Sequence, residues 1–176
     1  MLKNLMKTIS FCLLFFFQVF TSYAYSENKI YYLDMNYIIN NSSPGKTILK
    51  KIDEFKIKQT NYLKKKEDLI KTKQNELNTQ KNILSNDEIN LRVKNLENDI
   101  KKFNIERKDL INDFEIKKKE ELDKFVTRIS KILEDFMKEN SIEYILNQSS
   151  VLIANSKYNL NDKILILVNE RIKIDD

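Results

Sequence analysis

The sequence has almost none of the residues that interrupt regular backbone or carry common side-chain chemistry. Its 176 residues include one Gly, one Pro and one Cys, and neither His nor Trp. Without His the chain lacks the usual general base and a common zinc ligand. A single Gly cannot build a Gly-rich phosphate loop. These absences argue against an enzyme, and we expect no catalytic, metal-binding or cofactor-binding residue.

The N-terminal segment has the pattern of a cleaved secretion signal. Lys3 and Lys7 precede an apolar run that ends at Phe20, and Ser22 and Ala24 supply small residues before a cleavage site. The run is shorter than the roughly 20 residues that a membrane span needs. We therefore expect residues 1–24 to be removed, with an uncleaved inner-membrane anchor as the alternative. The only Cys lies in this segment, so the mature chain has no disulfide and depends on packing or oligomerisation.

A long helical stretch dominates the mature chain. From about Lys46 to about Glu139 there is no Gly and no Pro, and apolar residues recur every three or four positions. Two adjacent columns repeat every seven residues in the first part, which predicts a supercoiled helical partner. The columns are Ile48, Phe55, Tyr62, Leu69, Glu76 and Ile83, and Leu49, Lys56, Leu63, Ile70, Leu77 and Leu84.

A helix start is visible in the middle of this stretch. Ser85, followed three residues later by Glu88, has the pattern of a capping box. We place a hairpin tip near residues 84–88, with a continuous helix as the alternative. Folding the chain back at Ser85 would bring apolar residues of the two arms together, for example Phe55 with Phe114.

The second arm is longer than the first and must enter other surroundings beyond Leu122. The charged run Lys117–Glu121 interrupts its apolar pattern. The pattern then resumes at Leu122, Phe125, Ile129, Ile132 and Phe136. This spacing predicts that the end of the second arm packs into a body.

Short strands and a terminal helix are predicted around the arms. Lys29–Asp34, Ile142–Leu146 and Val151–Ala154 are rich in β-branched and aromatic residues and predict three strands. Asp162 to about Lys173 predicts a helix capped by Asn161, although its ILILV core is also compatible with a strand. Three short strands make a sheet too small to stand alone, so other copies of the chain should cover its edges.

The predicted fold class is α+β, mostly α, with a long antiparallel helical hairpin on a small β body that associates with other copies of the chain. Residues 46–124 would form the hairpin arm, and 25–45 with 125–176 the body. The side chains expected in the oligomeric body are Ile30, Tyr32, Leu33, Tyr144, Leu146, Val151 and Ile153.

Some apolar residues of the arm exceed what one partner helix can cover, and we expect them to contact a client protein. These are Leu63, Ile70, Leu91, Ile105, Ile111 and Ile116. Basic residues could steer an acidic partner towards them. The basic candidates are Lys64, Lys65, Lys66, Lys101, Lys102, Arg107 and Lys108. The pI near 9.0 alone could suggest nucleic-acid binding, but the secretion signal and the lack of a recognised module argue against it.

The order of these elements resembles the Skp/OmpH family of periplasmic chaperones. The resemblance spans the mature chain and depends on order and spacing rather than on one strong motif. The segments that carry it are KIYYLDMNYII at 29–39, SNDEINLRVKNLENDI at 85–100, KFVTRISKILEDFMKENSIEYIL at 124–146, and VLIANSKYNLNDKILILVNERI at 151–172. Arm ends in the family are typically basic, whereas Asp87 and Glu88 lie at the tip here.

The resemblance implies a periplasmic homotrimer that holds unfolded outer-membrane proteins without ATP. Peripheral contact with anionic lipid is left open, and no lipopolysaccharide site can be transferred residue by residue. A structural coiled-coil adaptor that clamps one fixed partner at the cell envelope is the alternative function.

Overall fold

Helices account for most of the protein in the computed structural model, which describes residues 30–174. The elements in chain order are β1 (Ile30–Leu33), α1 (Met35–Asn41), α2 (Ser43–Gln80), α3 (Asn86–Asn140), β2 (Tyr144–Asn147) and α4 (Asn161–Arg171). Short 3₁₀ turns at Gln148–Ser150 and Ser156–Tyr158 lie between β2 and α4. The predicted signal, residues 1–24, and the first five residues of the predicted body lie outside the described range.

A single residue separates α1 from α2. Ser42 is fully buried in an extended conformation, and its Oγ accepts a hydrogen bond from the Gly45 amide at 3.1 Å. Pro44 occupies the first turn of α2, where its missing N–H costs nothing. The predicted break at this point is therefore a tight junction, and α2 begins at Ser43 rather than at Lys46.

Gly45 is required by the close approach of α1 to α2. A Cβ atom at this position would overlap the carbonyl oxygen of Ile39 and lie 2.7 Å from the Ser42 Oγ. The chain therefore places its only Gly at the position where the backbone of one helix runs against the end of another.

The break between the two long helices lies where the capping pattern predicts it. Ser85 is the N-cap of α3, and its Oγ accepts from the Glu88 amide while the Glu88 carboxylate accepts from the Ser85 amide. Helix α2 ends at Gln80, four residues before the predicted end, and the turn of residues 81–84 follows it. A continuous helix is thus excluded.

The hydrophobic core lies at the end of the molecule where α1, the start of α2, the end of α3 and α4 meet. Phe125, Ile129 and Ile132 of α3 are buried there, as the sequence predicts. Leu33 contributes from β1, and Ile164 and Val168 contribute from α4. Burial of these large side chains is the main favourable term in the stability of this part of the fold.

The sheet contains two parallel strands in the described residues, not the predicted three. Strand β1 pairs with β2 in register Ile30 with Tyr144 and Tyr32 with Leu146. The predicted strand Val151–Ala154 is wrong for the single chain. The Asn147 side chain accepts from the Ser149 amide at 3.0 Å and starts a 3₁₀ turn, which leads the chain away from β2.

The terminal segment is a helix, and the strand alternative is wrong. Its N-cap, however, is Leu160, which provides no side-chain hydrogen bond. Asn161 Oδ1 accepts instead from the Asp34 amide at 2.8 Å, and Asn169 Oδ1 accepts from the Ser43 amide at 2.8 Å. Both Asn side chains thus tie α4 to the start of another helix, which is a tertiary role that local capping rules do not predict.

Candidate functional site

Pairs of side chains join the long helices, and residue numbers fall along α3 as they rise along α2. Phe55 stacks with Phe114, with ring centroids 6.4 Å apart, and this is one of the pairs that the sequence predicts. Further along, Lys66 contacts Glu106, Lys73 contacts Asp99, and Gln80 accepts a hydrogen bond from Arg92. These contacts lie within residues 46–124, which we call the arm.

The polar contacts of the arm form a ladder beyond its aromatic pair. Glu106 accepts from the Tyr62 hydroxyl at 2.5 Å through one oxygen and from the Lys66 ammonium at 2.5 Å through the other. The hydrogen bond from Lys66, followed by that from Tyr62, lowers the pKa of Glu106. The same bond with Glu106 raises the pKa of Lys66. The Lys73 hydrogen bond at 2.6 Å lowers the pKa of Asp99 in the same way.

The apolar contact face of α2 shifts along the helix. Ile48 is buried and Phe55 half-buried, but Tyr62 and Leu69 of the same column are exposed, Leu69 by 63%. The neighbouring column supplies the half-buried residues from there on, namely Leu63, Ile70 and Leu77. A straight helix drifts by about 20° per heptad, so over five heptads the contact face passes to the next residue along the chain.

The predicted client-facing residues fall into two groups that differ in exposure. Leu91, Ile105, Ile111 and Ile116 are exposed, as expected. Leu63 and Ile70 are half-buried between α2 and α3, so these two candidates are only partly accessible. Sequence reasoning missed Ile57 and Leu69, which are at least half exposed in the arm. The drift of a straight helix was the signal that could have identified Leu69.

The predicted charge-steering residues are exposed with one exception. Lys66 is half-buried and engaged with Glu106, so it serves the contact between the helices. The exposed members of the set are Lys64, Lys65, Lys101, Lys102, Arg107 and Lys108. They give the middle of the arm a basic surface.

One face of the two-stranded sheet presents apolar side chains to solvent. Residues that alternate along a strand point to the same side, so Ile30, Tyr32, Tyr144 and Leu146 share a face. Ile30, Tyr144 and Leu146 are exposed by 41% or more. Leu33 points the other way and is only 3% exposed, so it lies in the core of the body and not on this face.

The segment after β2 also carries exposed apolar side chains. Leu152 is 97% exposed and Ile153 is 90% exposed, and Val151 beside them is half-buried. We use the name strand face for these three residues and the apolar face of the sheet, which consists of Ile30, Tyr32, Tyr144 and Leu146. Exposed apolar surfaces commonly mark sites of protein association.

Open grooves lie between α2 and α3. One is about 530 Å³, and its apolar lining includes Leu49, Leu63, Leu110 and Ile111. A smaller one of about 220 Å³ lies beside the Lys66–Glu106 pair and includes Ile70. The structure therefore brings Leu63 and Ile111, which are both client-facing candidates, into the same groove.

Asp34, the acidic residue that follows β1, has a structural role. Asp34 is the N-cap of α1 and accepts from the Tyr37 amide at 3.1 Å. Across residues 30–174, no three acidic side chains are arranged to hold a metal ion. Over the same residues, none of the helices combines the length and apolar composition needed to cross a membrane.

Comparison with known proteins assigns the chain to a family. The family model described as outer membrane protein (OmpH-like) matches residues 29–167. The chain belongs to the OmpH-like family. The comparison with curated proteins returns no match.

A solved structure has the same fold. It is the crystal structure of a candidate OmpH-like outer membrane chaperone from Caulobacter crescentus, with a TM-score of 0.77 and 12% sequence identity. The match covers 84% of this chain and 87% of that one. At this identity the likeness concerns the fold, which agrees with the long paired helices and small sheet described above.

Proposed function

We propose that the protein is an ATP-independent holdase of the periplasm that binds unfolded outer-membrane proteins and prevents their aggregation. Family membership and the fold support this function. The observation that carries it is the number of large apolar side chains left exposed along a highly charged arm. Leu69, Leu91, Ile105, Ile111 and Ile116 are all close to half exposed or more.

Such a surface suits a partner without a fixed structure. An unfolded chain offers apolar side chains at many positions, so several weak contacts along one arm sum to useful affinity. The exposed lysines of the arm would increase the encounter rate with acidic segments. No nucleotide-binding or catalytic element is needed for this activity.

The functional unit in this proposal is a homotrimer built through the strand face. The exposed Ile30, Tyr144, Leu146, Leu152 and Ile153 would be covered by the same surface of two further copies. Three arms projecting from one body would surround a client on several sides.

Secretion by a cleaved signal at residues 1–24 would deliver the protein to the periplasm. The alternative function is a structural adaptor, and the two-helix arm itself favours it, because rigid paired helices also serve as clamps for folded partners. An adaptor would bind one partner in a fixed register, whereas a holdase would bind unrelated unfolded chains.

Light scattering distinguishes these functions. A urea-denatured outer-membrane β-barrel protein is diluted into buffer with the mature protein in stoichiometric amount. A holdase delays or abolishes the rise in scattering, and an unrelated unfolded barrel gives the same result. Unchanged aggregation of both proteins would exclude the chaperone function.

A further inference from the structure

The 530 Å³ groove lies where the heptad pattern of α2 is broken. Leu49 and Leu63 both line it, and Lys56 lies halfway between them in the same column. Further along, this column continues with Ile70 and Leu77, which are half-buried against α3. A Leu at position 56 would continue the apolar row, so the groove exists partly because Lys stands at this position.

The stacked aromatic pair of the arm borders this groove. Phe114 lines the groove, as Ile111 does, whereas its stacking partner Phe55 does not. The Lys117 ammonium lies 5.6 Å from the Phe55 ring centroid and does not line the groove either. We call the groove the trough, and the aromatic pair holds the two helices together beside it.

The rim of the trough is polar with balanced charge. Asp53 and Lys56 lie on α2, and Glu115 and Lys118 lie on α3. Gln59 and Thr60 add uncharged hydrogen-bonding groups. Such a rim offers both donors and acceptors and no net charge, which complements a peptide backbone better than a strongly charged headgroup.

We propose that this trough binds an extended, uncharged segment of a client that inserts two or three large apolar side chains. A volume of about 530 Å³ is at the scale of recognised small-ligand sites. The inference rests on the proposed holdase function and assigns part of the client contact to a defined position in each arm. At position 56, Lys then packs less well between the helices than Leu would, and this leaves the trough open for the client segment.

The test uses the mature full-length protein and a labelled peptide. The probe is a fluorescein-labelled, acetylated and amidated ten-residue peptide in which Phe or Leu alternates with Ser or Thr. Fluorescence anisotropy should show binding that changes less than twofold between 50 and 300 mM salt, because the rim carries no net charge. Lys56→Leu should weaken binding at least tenfold by filling the trough.

Matched variants distinguish the effect of filling the trough from the effect of removing the charge of Lys56. Lys56→Gln removes the charge without an apolar side chain at the rim and should keep binding within threefold of wild type. Lys58→Leu adds the same apolar group at an exposed position outside the trough and should bind like wild type. Ile111→Ser makes the floor polar without filling it and should weaken binding about tenfold.

Crosslinking identifies the occupant directly. A photoreactive p-benzoylphenylalanine at Thr60 should form adducts with the peptide. Adducts only with a second copy of the protein would overturn the proposal, as would wild-type affinity in Lys56→Leu. If the wild type binds the peptide but does not delay barrel aggregation, the holdase function fails while the peptide site stands. If it delays aggregation and Lys56→Leu binds peptide normally, only the site assignment fails.

Discussion

Glu106 accepts hydrogen bonds from two residues of the opposite long helix, and its partner in the ion pair is Lys66 at 2.5 Å. Tyr62, one helical turn before Lys66, occupies the other carboxylate oxygen. Because both Tyr62 and Lys66 lie in α2 and Glu106 lies in α3, this triad fixes the relative position of the helices in the middle of the arm. In this part of the arm Tyr62 and Leu69 are exposed, so the apolar contact between α2 and α3 is narrow.

The triad should make arm stability depend on pH. The folded pKa of Glu106 is below its ordinary value of 4.5, so its contribution is present above that value and is lost as pH falls through the folded pKa. The raised pKa of Lys66 means that its contribution is present below 10.5 and is lost as pH rises through its folded pKa. Glu106→Gln should lower the urea midpoint at pH 7, with a difference that shrinks below pH 4.5.

The matched control for this substitution is Glu97→Gln, which changes an exposed carboxylate of the same helix. Its urea midpoint should follow the wild type across the whole pH range. A Glu106→Gln difference that stays constant from pH 7 to pH 3 would contradict an ionic role for the triad.

Replacing the chain's only Gly should destabilise the body. In Gly45→Ala the new methyl group overlaps the Ile39 carbonyl oxygen, so α1 and α2 must move apart. We expect a loss of about 1–3 kcal/mol in the free energy of unfolding, which is the range for overpacking. Urea unfolding followed by circular dichroism measures it. Lys46→Ala, at the exposed next position, should change stability by less than about 0.5 kcal/mol.

Loss of the capping box should loosen the tip of the arm without affecting the body. Ser85→Ala removes the acceptor for the Glu88 amide and should cost roughly 0.5–2 kcal/mol of helix stability. Hydrogen exchange should become faster in the first turn of α3 and stay unchanged around Ile129. Asn82→Ala, in the exposed turn before Ser85, serves as the control. Equal exchange in both variants would show that the cap does not hold the tip.

The strand face should be required for assembly. Leu146→Glu places a charge among Ile30, Tyr32 and Tyr144, and burying an unpaired charge between copies is costly. We expect sedimentation to give a trimer for the wild type and a monomer for this variant. Leu91→Glu introduces the same change in the arm and should remain a trimer. A monomeric wild type would exclude the trimer, and a trimeric Leu146→Glu would place the interface elsewhere.

Local patterns predicted the features of this fold that depend on neighbouring residues. The Ser85–Glu88 cap, the burial of Phe125 and Ile129, and the terminal helix all follow from short-range spacing. Local rules predict Asn161 as the N-cap of α4, because its actual partner, the Asp34 amide, lies far away in sequence. Rules based on neighbouring residues cannot predict that contact.

Two other differences between prediction and structure have a common origin. A sequence pattern does not specify which neighbouring element a helix or strand will contact. A heptad count treats one column as the contact face, whereas the half-buried positions of α2 pass from Phe55 to Leu63 and Ile70. The apolar run at Leu152 and Ile153 has strand propensity, but pairing also needs a neighbouring strand, and the parallel pair of β1 and β2 provides none beside it. The exposure of Leu69 in the arm and of Leu152 and Ile153 in the strand face follows from these two differences.

The most direct test of holdase activity compares the wild-type protein with a variant that lacks the exposed apolar residues. In Leu91→Ser/Ile105→Ser/Ile116→Ser the helices keep their buried contacts, so circular dichroism and oligomeric state should match the wild type. Light scattering from a diluted, denatured outer-membrane β-barrel protein is then followed with each. We expect suppression of scattering by the wild type at one trimer per barrel, and at least several-fold weaker suppression by the variant. Scattering in the presence of the wild type that equals scattering in buffer alone would contradict it.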